Sequence, residues 1–166
     1  KEYRRQRQMC IRDRFLIKSP GTIIPGTISD DKIMNIDFAP TLLDFAGLSI
    51  PEEMQGRSFK NTFTKNSDTK RNAVYYHYYE YPIWHNVQPH YGVRTDKYKL
   101  IHFYYSMDEW ELYDMDADPH EMNNIYENAD PGLISKLKFK LDSLKKYYGD
   151  TSSIKDMISM LSLIHI

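Results

Sequence analysis

Asn35-Ile-Asp-Phe-Ala-Pro-Thr-Leu-Leu-Asp-Phe-Ala-Gly-Leu-Ser-Ile-Pro-Glu-Glu-Met-Gln-Gly-Arg-Ser-Phe59 reads as a short helix set between two turns. Asp37 is placed to cap the helix start, and Pro40 falls in the first turn, where its missing N–H costs nothing. Leu42, Leu43, Phe45 and Ala46 make the expected apolar face, and Gly47 can take positive φ at the helix end. Upstream, residues 15–19 predict a strand running into the Pro20-Gly21 turn, and residues 26–31 predict a loop. Residues 15–59 therefore read as one strand–helix unit.

Downstream the pattern changes. Residues 60–71 are polar and aperiodic, and read as a linker. Residues 73–80, Ala-Val-Tyr-Tyr-His-Tyr-Tyr-Glu, are dense in aromatics and suit a strand, which Tyr81-Pro82 ends. Residues 83–89 form a loop. Residues 91–95 and 98–105 predict a hairpin around Asp96-Lys97, and residues 111–114 a fourth strand. Asp118-Pro-His-Glu121 has capping-box spacing and is read as a structural turn. From residue 131 to 148, Leu133, Leu137, Leu141, Leu144 and Tyr148 fall at steps of three and four, one stripe on a helix. Lys136, Lys138, Lys140, Lys145 and Lys146 lie mostly off that stripe as a solvated face. A sheet with one apolar face needs a cover. The expected unit is thus α+β, a four-stranded antiparallel sheet covered by a long C-terminal helix, over residues 72–150.

The two ends carry a different message. Met9-Cys-Ile-Arg-Asp-Arg14 back-translates as ATG-TGT-ATA-AGA-GAC-AG. Its reverse complement, CTG-TCT-CTT-ATA-CAC-AT, encodes Leu161-Ser-Leu-Ile-His-Ile166. One DNA word read from opposite strands resembles a transposase sequencing adapter, as in a metagenomic read. Residues 1–14 and 161–166 are accordingly set apart from fold reasoning, with residues 151–160 as a tail. Those ends hold six of the 22 Lys and Arg and two of the 23 Asp and Glu, so the remaining 146 residues carry a net charge of −5 rather than −1. The basic N-terminal run then gives no reason to expect nucleic-acid binding. The single cysteine, Cys10, lies in the same end, which leaves no cysteine nucleophile or disulfide elsewhere. No run is long and apolar enough to span a membrane.

The opening string resembles the segment near the end of the catalytic domain in type I, formylglycine-dependent sulfatases. There an aspartate, a Pro-Thr-Leu-Leu run, an Ala-Gly, a Pro and a Gly-Arg-Ser follow in this order. Tyr91-Gly-Val-Arg-Thr-Asp-Lys-Tyr-Lys-Leu-Ile-His102 and Trp110-Glu-Leu-Tyr-Asp-Met-Asp-Ala-Asp-Pro-His-Glu-Met-Asn-Asn124 look like the C-terminal domain of the same family. The resemblance implies that residues 15–59 are the last strand–helix unit of an α/β, alkaline-phosphatase-like catalytic domain, ahead of the C-terminal domain. It implies a parent enzyme, periplasmic or extracellular, that removes sulfate from glycosaminoglycan or mucin sugars. Formylglycine, made from Cys or Ser in a Cys/Ser-x-Pro-x-Arg signature, and a Ca²⁺ would serve it. The nearest named likeness is to sulfatases acting on N-acetylglucosamine-6-sulfate and N-sulfoglucosamine. A phosphodiesterase of the same superfamily and a non-catalytic sugar-binding module are the alternatives.

No Cys/Ser-x-Pro-x-Arg signature occurs between residues 15 and 160, and no carboxylate set matches metal ligands. The segment is therefore expected to hold no catalytic residue, bind no cofactor and be inactive alone. Asp114, Asp116 and Asp118 loosely imitate a calcium loop. That loop needs Gly at its sixth position and Glu at its twelfth, and here these are Pro119 and Ile125. What remains is substrate recognition. Aromatic faces stack on sugars, and Arg or His can hydrogen-bond hydroxyls and anions. Trp84, His85, His90 and Arg94 are the candidate substrate-binding residues. Pro89 and Gly92 are expected to restrict and bend the backbone around His90.

Overall fold

The computed structural model describes residues 15–63, 70–79, 87–150, 155, 156 and 159. Four strands, β1 (Ala73–Tyr78), β2 (His90–Thr95), β3 (Tyr98–Phe103) and β4 (Glu109–Asp114), form an antiparallel meander in the order β1-β2-β3-β4. Two helices flank it in sequence, α1 (Phe38–Phe45) and α2 (Pro131–Tyr147). Asp130 caps α2, its side chain accepting from the Leu133 N–H at 2.8 Å, and Pro131 takes the first helical position.

Register explains the core. Tyr75, Val93, Leu100 and Leu112 lie opposite one another in a row across all four strands. All four are buried, together with Leu137 and Leu141 from the middle of the α2 stripe. A strand alternates its side chains between faces, so this row and its neighbours two residues away form the helix-covered side. One neighbouring row is polar: His77, Tyr91, His102 and Trp110. His77 Nδ1 lies 2.6 Å from Asp150 Oδ2 and its Nε2 2.9 Å from the Tyr104 hydroxyl, while Tyr75 also donates to Asp150. His102 Nδ1 lies 2.7 Å from the Tyr91 hydroxyl and its Nε2 2.7 Å from Asp108 Oδ1, and its ring stacks on Trp110. Both imidazoles thus have both nitrogens engaged, which is the condition for carrying a polar row into a core.

The outer edge of β4 is closed. Asn124 Oδ1 accepts from the Leu112 N–H, Asn124 Nδ2 donates to the Trp110 carbonyl, and the Ile125 N–H donates to the Leu112 carbonyl. An edge satisfied by a returning loop offers no ladder to another strand.

Several expectations from the sequence change here. Residues 15–19 form no strand. No other strand among the described residues lies beside them to complete a ladder, and Phe15 instead packs edge-on against Phe38 and Phe59. Helix α1 forms, yet its apolar face is not its buried face: Leu42 is 66% exposed, and the buried residues are Pro40 and Thr41. The Thr41 hydroxyl donates to the Asp37 carbonyl at 2.6 Å and accepts from the Phe59 N–H at 3.1 Å, which turns that side inward. Residues 60–63 make one 3-10 turn within the expected linker. Asp118-Pro-His-Glu121, by contrast, is the turn that was expected. Its carboxylate accepts from the Met122 and Asn123 N–H groups, and Glu121 takes φ 57° and pairs with Lys99. Asp114 Oδ1 accepts from the Asp116 and Ala117 N–H groups, so this acidic stretch is a turn closed on its own backbone.

Asp37 does not cap α1 with its side chain. It is 1% exposed and accepts four hydrogen bonds: from Arg71 Nη1 at 2.5 Å, Arg71 Nη2 at 2.9 Å, the Met34 N–H at 2.7 Å and the Arg57 N–H at 3.0 Å. Burial pushes its carboxyl upward, but the Arg71 guanidinium and the two backbone donors outweigh this and hold it below 3.8. Removing one partner of a buried pair leaves the other charge uncompensated, at about 3–5 kcal/mol. Asp37→Asn is therefore expected to lower the urea midpoint of the full chain by far more than Asp96→Asn. Asp96 is an exposed carboxylate in an ion pair with Lys32.

A pH dependence follows from the polar row. Burial holds the His77 and His102 imidazoles below the ordinary 6.5, against the pull of Asp150 and Asp108. A histidine lowered in the folded state contributes fully above about 6.5 and loses that contribution as pH falls through its folded value. The Asp37 and Asp150 carboxyls, held below 3.8, act only in more acid solution. The melting temperature of the chain should therefore decline between pH 7 and pH 5. His77→Gln should flatten that decline, as read by thermal melts at half-unit pH steps.

Candidate functional site

The face of the sheet turned away from α2 carries three parallel rows. At one end are Tyr78, His90, Phe103 and Glu109. In the middle are Tyr76, Gly92, Ile101 and Glu111. At the other end are Val74, Arg94, Lys99 and Tyr113. Ile101, Tyr113 and Met115 form a small apolar cluster here, with Tyr76 and Phe103 against it. His90 and Arg94 therefore share a face. Four residues of strand separate them, about 13 Å, so they are not one hydrogen-bonded unit. Trp84 and His85 lie outside the described residues.

His90 is half-buried in an aromatic frame. Its ring stacks on Tyr78 at 5.4 Å, meets Tyr76 edge-on at 5.9 Å and tilts against Phe103 at 5.0 Å. Its Nδ1 lies 2.7 Å from the Gln88 carbonyl. A carbonyl only accepts, so Nδ1 carries the proton, and in the neutral ring Nε2 is left as an acceptor. Such an atom is suited to receive a sugar hydroxyl. Pro89 is fully buried and its carbonyl accepts from the Tyr104 N–H, which fixes the approach to β2.

Gly92 does not bend the chain. It sits inside β2, paired with Tyr76 and Ile101. A Cβ there would meet the Tyr76 hydroxyl and the Leu100 carbonyl, each at 2.6 Å. Its role is to let the Tyr76 ring lie across the strand, which floors the space between His90 and Arg94.

Arg94 has no carboxylate partner among the described residues, and its Nε is buried without a hydrogen bond. Lys99, directly opposite, is engaged by Glu121. The Tyr76 hydroxyl is likewise buried without a partner, and burial raises it well above 10. Unpaired buried donors are uncommon and costly, so two on one face mark a place where another group could supply the missing bonds.

The His77 and His102 networks went unnoticed in the sequence. A signal existed in the strict alternation Ala73, Tyr75, His77 opposite Tyr91 and Val93, which puts the histidine on the buried side. Their carboxylate partners, Asp150 and Asp108, come from outside the strands, and no local pattern reveals them. Among the described residues, no group of three or more His, Cys, Asp and Glu side chains could hold a metal ion.

Comparison with known proteins matches this geometry to a class. The family model described as N-sulphoglucosamine sulphohydrolase, C-terminal, matches residues 3–147. The chain is 48% identical over 145 residues to the N-acetylglucosamine-6-O-sulfatase of Bacteroides thetaiotaomicron, covering 85% of this chain and 26% of that protein. It is 29% identical over 167 residues to the N-acetylglucosamine-6-sulfatase of Bos taurus, covering 82% and 30%. A structure solved in complex with its substrate D-glucosamine-2-N,6-O-disulfate superposes with a TM-score of 0.67 at 48% identity, over 71% of this chain and 25% of that one. The sheet and its covering helix are thus those of a sulfatase C-terminal region on the alkaline-phosphatase-like fold. The chain belongs to the N-sulphoglucosamine sulphohydrolase C-terminal family, and it covers only 25–30% of the length of the three relatives just named.

Proposed function

We propose that this segment belongs to a carbohydrate sulfatase, a sulfuric ester hydrolase acting on sulfated glucosamine-type sugars, and that its open sheet face borders the substrate cleft. The observation that carries the reading is the 48% identity, over 85% of the chain, to an N-acetylglucosamine-6-O-sulfatase. Surface apolarity supports a longer protein. Phe15, Leu16, Ile24, Ile28, Leu42 and Leu48 are 46–90% exposed, an apolar surface of the kind that marks an interaction site. Periplasmic or extracellular residence, a formylglycine nucleophile and a Ca²⁺ remain part of the proposal for that longer protein.

In this reading His90 receives a sugar hydroxyl on Nε2, with the Gln88 carbonyl fixing the tautomer and the Tyr78, Tyr76 and Phe103 rings fixing the plane. Arg94, at the far end of the same strand, offers its guanidinium to an anionic or carbonyl group. Chemistry at sulfur belongs to residues outside this segment. The run Ser49-Ile-Pro-Glu-Glu53 ends in Glu where the signature needs Arg. Turnover of an aryl sulfate by the purified 166-residue chain should therefore not exceed that of a heat-killed control.

In the full-length enzyme, His90→Ala should slow cleavage of the sulfated glucosamine by the equivalent of roughly 1–3 kcal/mol, the cost of an unpaired polar group. A small aryl sulfate, which lacks sugar hydroxyls, should be cleaved almost normally. Equal losses on both substrates would mean that His90 acts in chemistry or folding, and the sugar-recognition role would fall.

A further inference from the structure

At the opposite end of β1 from His90, a groove of about 260 Å³ opens where three segments meet: residues 55–57, residues 70–73 and the end of α2. Its cations are Arg57, Lys70 and Arg71, and among the described residues no carboxylate lines it. In a chain of net charge −1 this is a local concentration, not a consequence of composition. The three cations are not equivalent. Arg71 is neutralised by its two hydrogen bonds to Asp37 and serves as wall. Arg57 uses only its backbone N–H on Asp37, and its exposed guanidinium has no hydrogen-bonded partner among the described residues. Lys70 is 79% exposed and only 4.0 Å from Asp31, at the limit of an ion pair.

An aromatic surface lies beside these two cations. Tyr147 is 72% exposed and stands edge-on to Tyr148 at 4.9 Å, which holds its ring in place. Gln55 Nε2 donates to the Tyr148 carbonyl at 2.9 Å, tying the loop wall to the helix end. A fixed aromatic face next to two available cations is the combination that takes a sugar ring bearing an oxyanion: the ring stacks and the cations bind the oxygens. The volume lies just under the range of ordinary small-ligand pockets, about 300–1,000 Å³, and so fits one sugar ring.

We propose that this groove, formed by Arg57, Lys70 and Tyr147, is a second, non-catalytic site for a sulfated sugar, separate from the face that carries His90. The choice of a sulfated sugar over another anionic ring rests on the sulfatase reading. The placement does not, because Ala73 and Tyr78 mark the two ends of β1, about 17 Å apart at the rise of a strand. A site here lets the protein hold one unit of a sulfated chain while another is presented elsewhere.

The test is calorimetric titration of the full 166-residue chain with D-glucosamine-2-N,6-O-disulfate, with unsulfated glucosamine and sodium sulfate as parallel arms. The disulfate should bind, more weakly as NaCl rises, because exposed charges are screened over about 10 Å at 0.1 M salt. The double variant Arg57→Glu/Lys70→Glu should bind at least tenfold more weakly with an unchanged circular dichroism spectrum. Tyr147→Ala should weaken the disulfate and leave sodium sulfate unaffected. If the double variant fails to fold, Arg57→Gln and Tyr147→Ala, both at exposed positions, carry the same test. No binding by the unaltered chain, or full binding by a folded groove variant, overturns the proposal. Sodium sulfate binding as tightly as the disulfate reduces the groove to a bare anion site and overturns the sugar. Loss of binding in His90→Ala alone moves the ligand to the open sheet face, which rejects the groove and leaves the His90 reading standing.

Discussion

The buried pair of Asp37 and Arg71 holds the two parts of the chain in one arrangement. Asp37 ends the 3-10 turn that leads into α1, and Arg71 stands two residues before β1. Between them lie a loop, a helix and a second turn, and both lead back to the same carboxylate, because the Arg57 N–H also donates to Asp37. Burying an ion pair costs desolvation that Coulomb attraction alone rarely repays. Here the carboxylate is compensated by four donors and the guanidinium by two carboxylate oxygens and the Lys32 carbonyl. The donors to Asp37 come from three places in the chain, Met34, Arg57 and Arg71. The pair therefore sets geometry more than it adds net stability, and the walls of the basic groove inherit their positions from it.

The same logic governs the helix-covered side of the sheet. A row of His77, Tyr91, His102 and Trp110 could have been apolar. It is polar because each histidine bridges a strand to a carboxylate beyond it, Asp150 just after α2 and Asp108 just before β4. These bridges fix where the helix ends and where the last hairpin begins. An apolar row would bury as much surface but would specify neither. Lys145 over the Tyr91 ring and Lys138 over Trp110 extend the same clamp along the helix. The lysines that sequence periodicity assigned to solvent thus include two whose charges rest on aromatic faces.

Period two and period 3.6 made the sheet and α2 legible, since Tyr75, Val93, Leu100 and Leu112 meet Leu137 and Leu141 by register alone. The strand over residues 15–19 and the apolar face of α1 were misread for one reason. Local pattern reports what a segment could bury, and burial requires a partner, which the described residues do not supply for Leu16 or Leu42. Asp37 was misread differently. Its place ahead of a helix is the place of a cap, but Arg71 lies 34 residues away and local sequence does not show it. Of the site, His90 and Arg94 were legible as polar residues on the loop and strand that follow the aromatic strand, and their common face follows from a spacing of four. Their separation by the Tyr76 ring was not legible, because it depends on a glycine read as a bend.

Strand β2 shows how one short sequence divides two tasks. Tyr91 and Val93 point to the helix, where Tyr91 bonds His102 and Val93 is wholly buried. His90, Gly92 and Arg94 point the other way, to a face with an open imidazole nitrogen, a missing Cβ and a guanidinium whose Nε is unpaired. The helix side satisfies both ring nitrogens of His77 and of His102 within the fold. The open side leaves the Tyr76 hydroxyl and Arg94 Nε unsatisfied, and a fold tolerates that cost where another group will supply the bonds. A shift of one residue in register would exchange the two sets, placing Arg94 in the core and Val93 in water. The placement of one face is therefore only as secure as the apolar row on the other, and Val93, Leu100 and Leu112 position His90 as surely as its own hydrogen bond to Gln88 does.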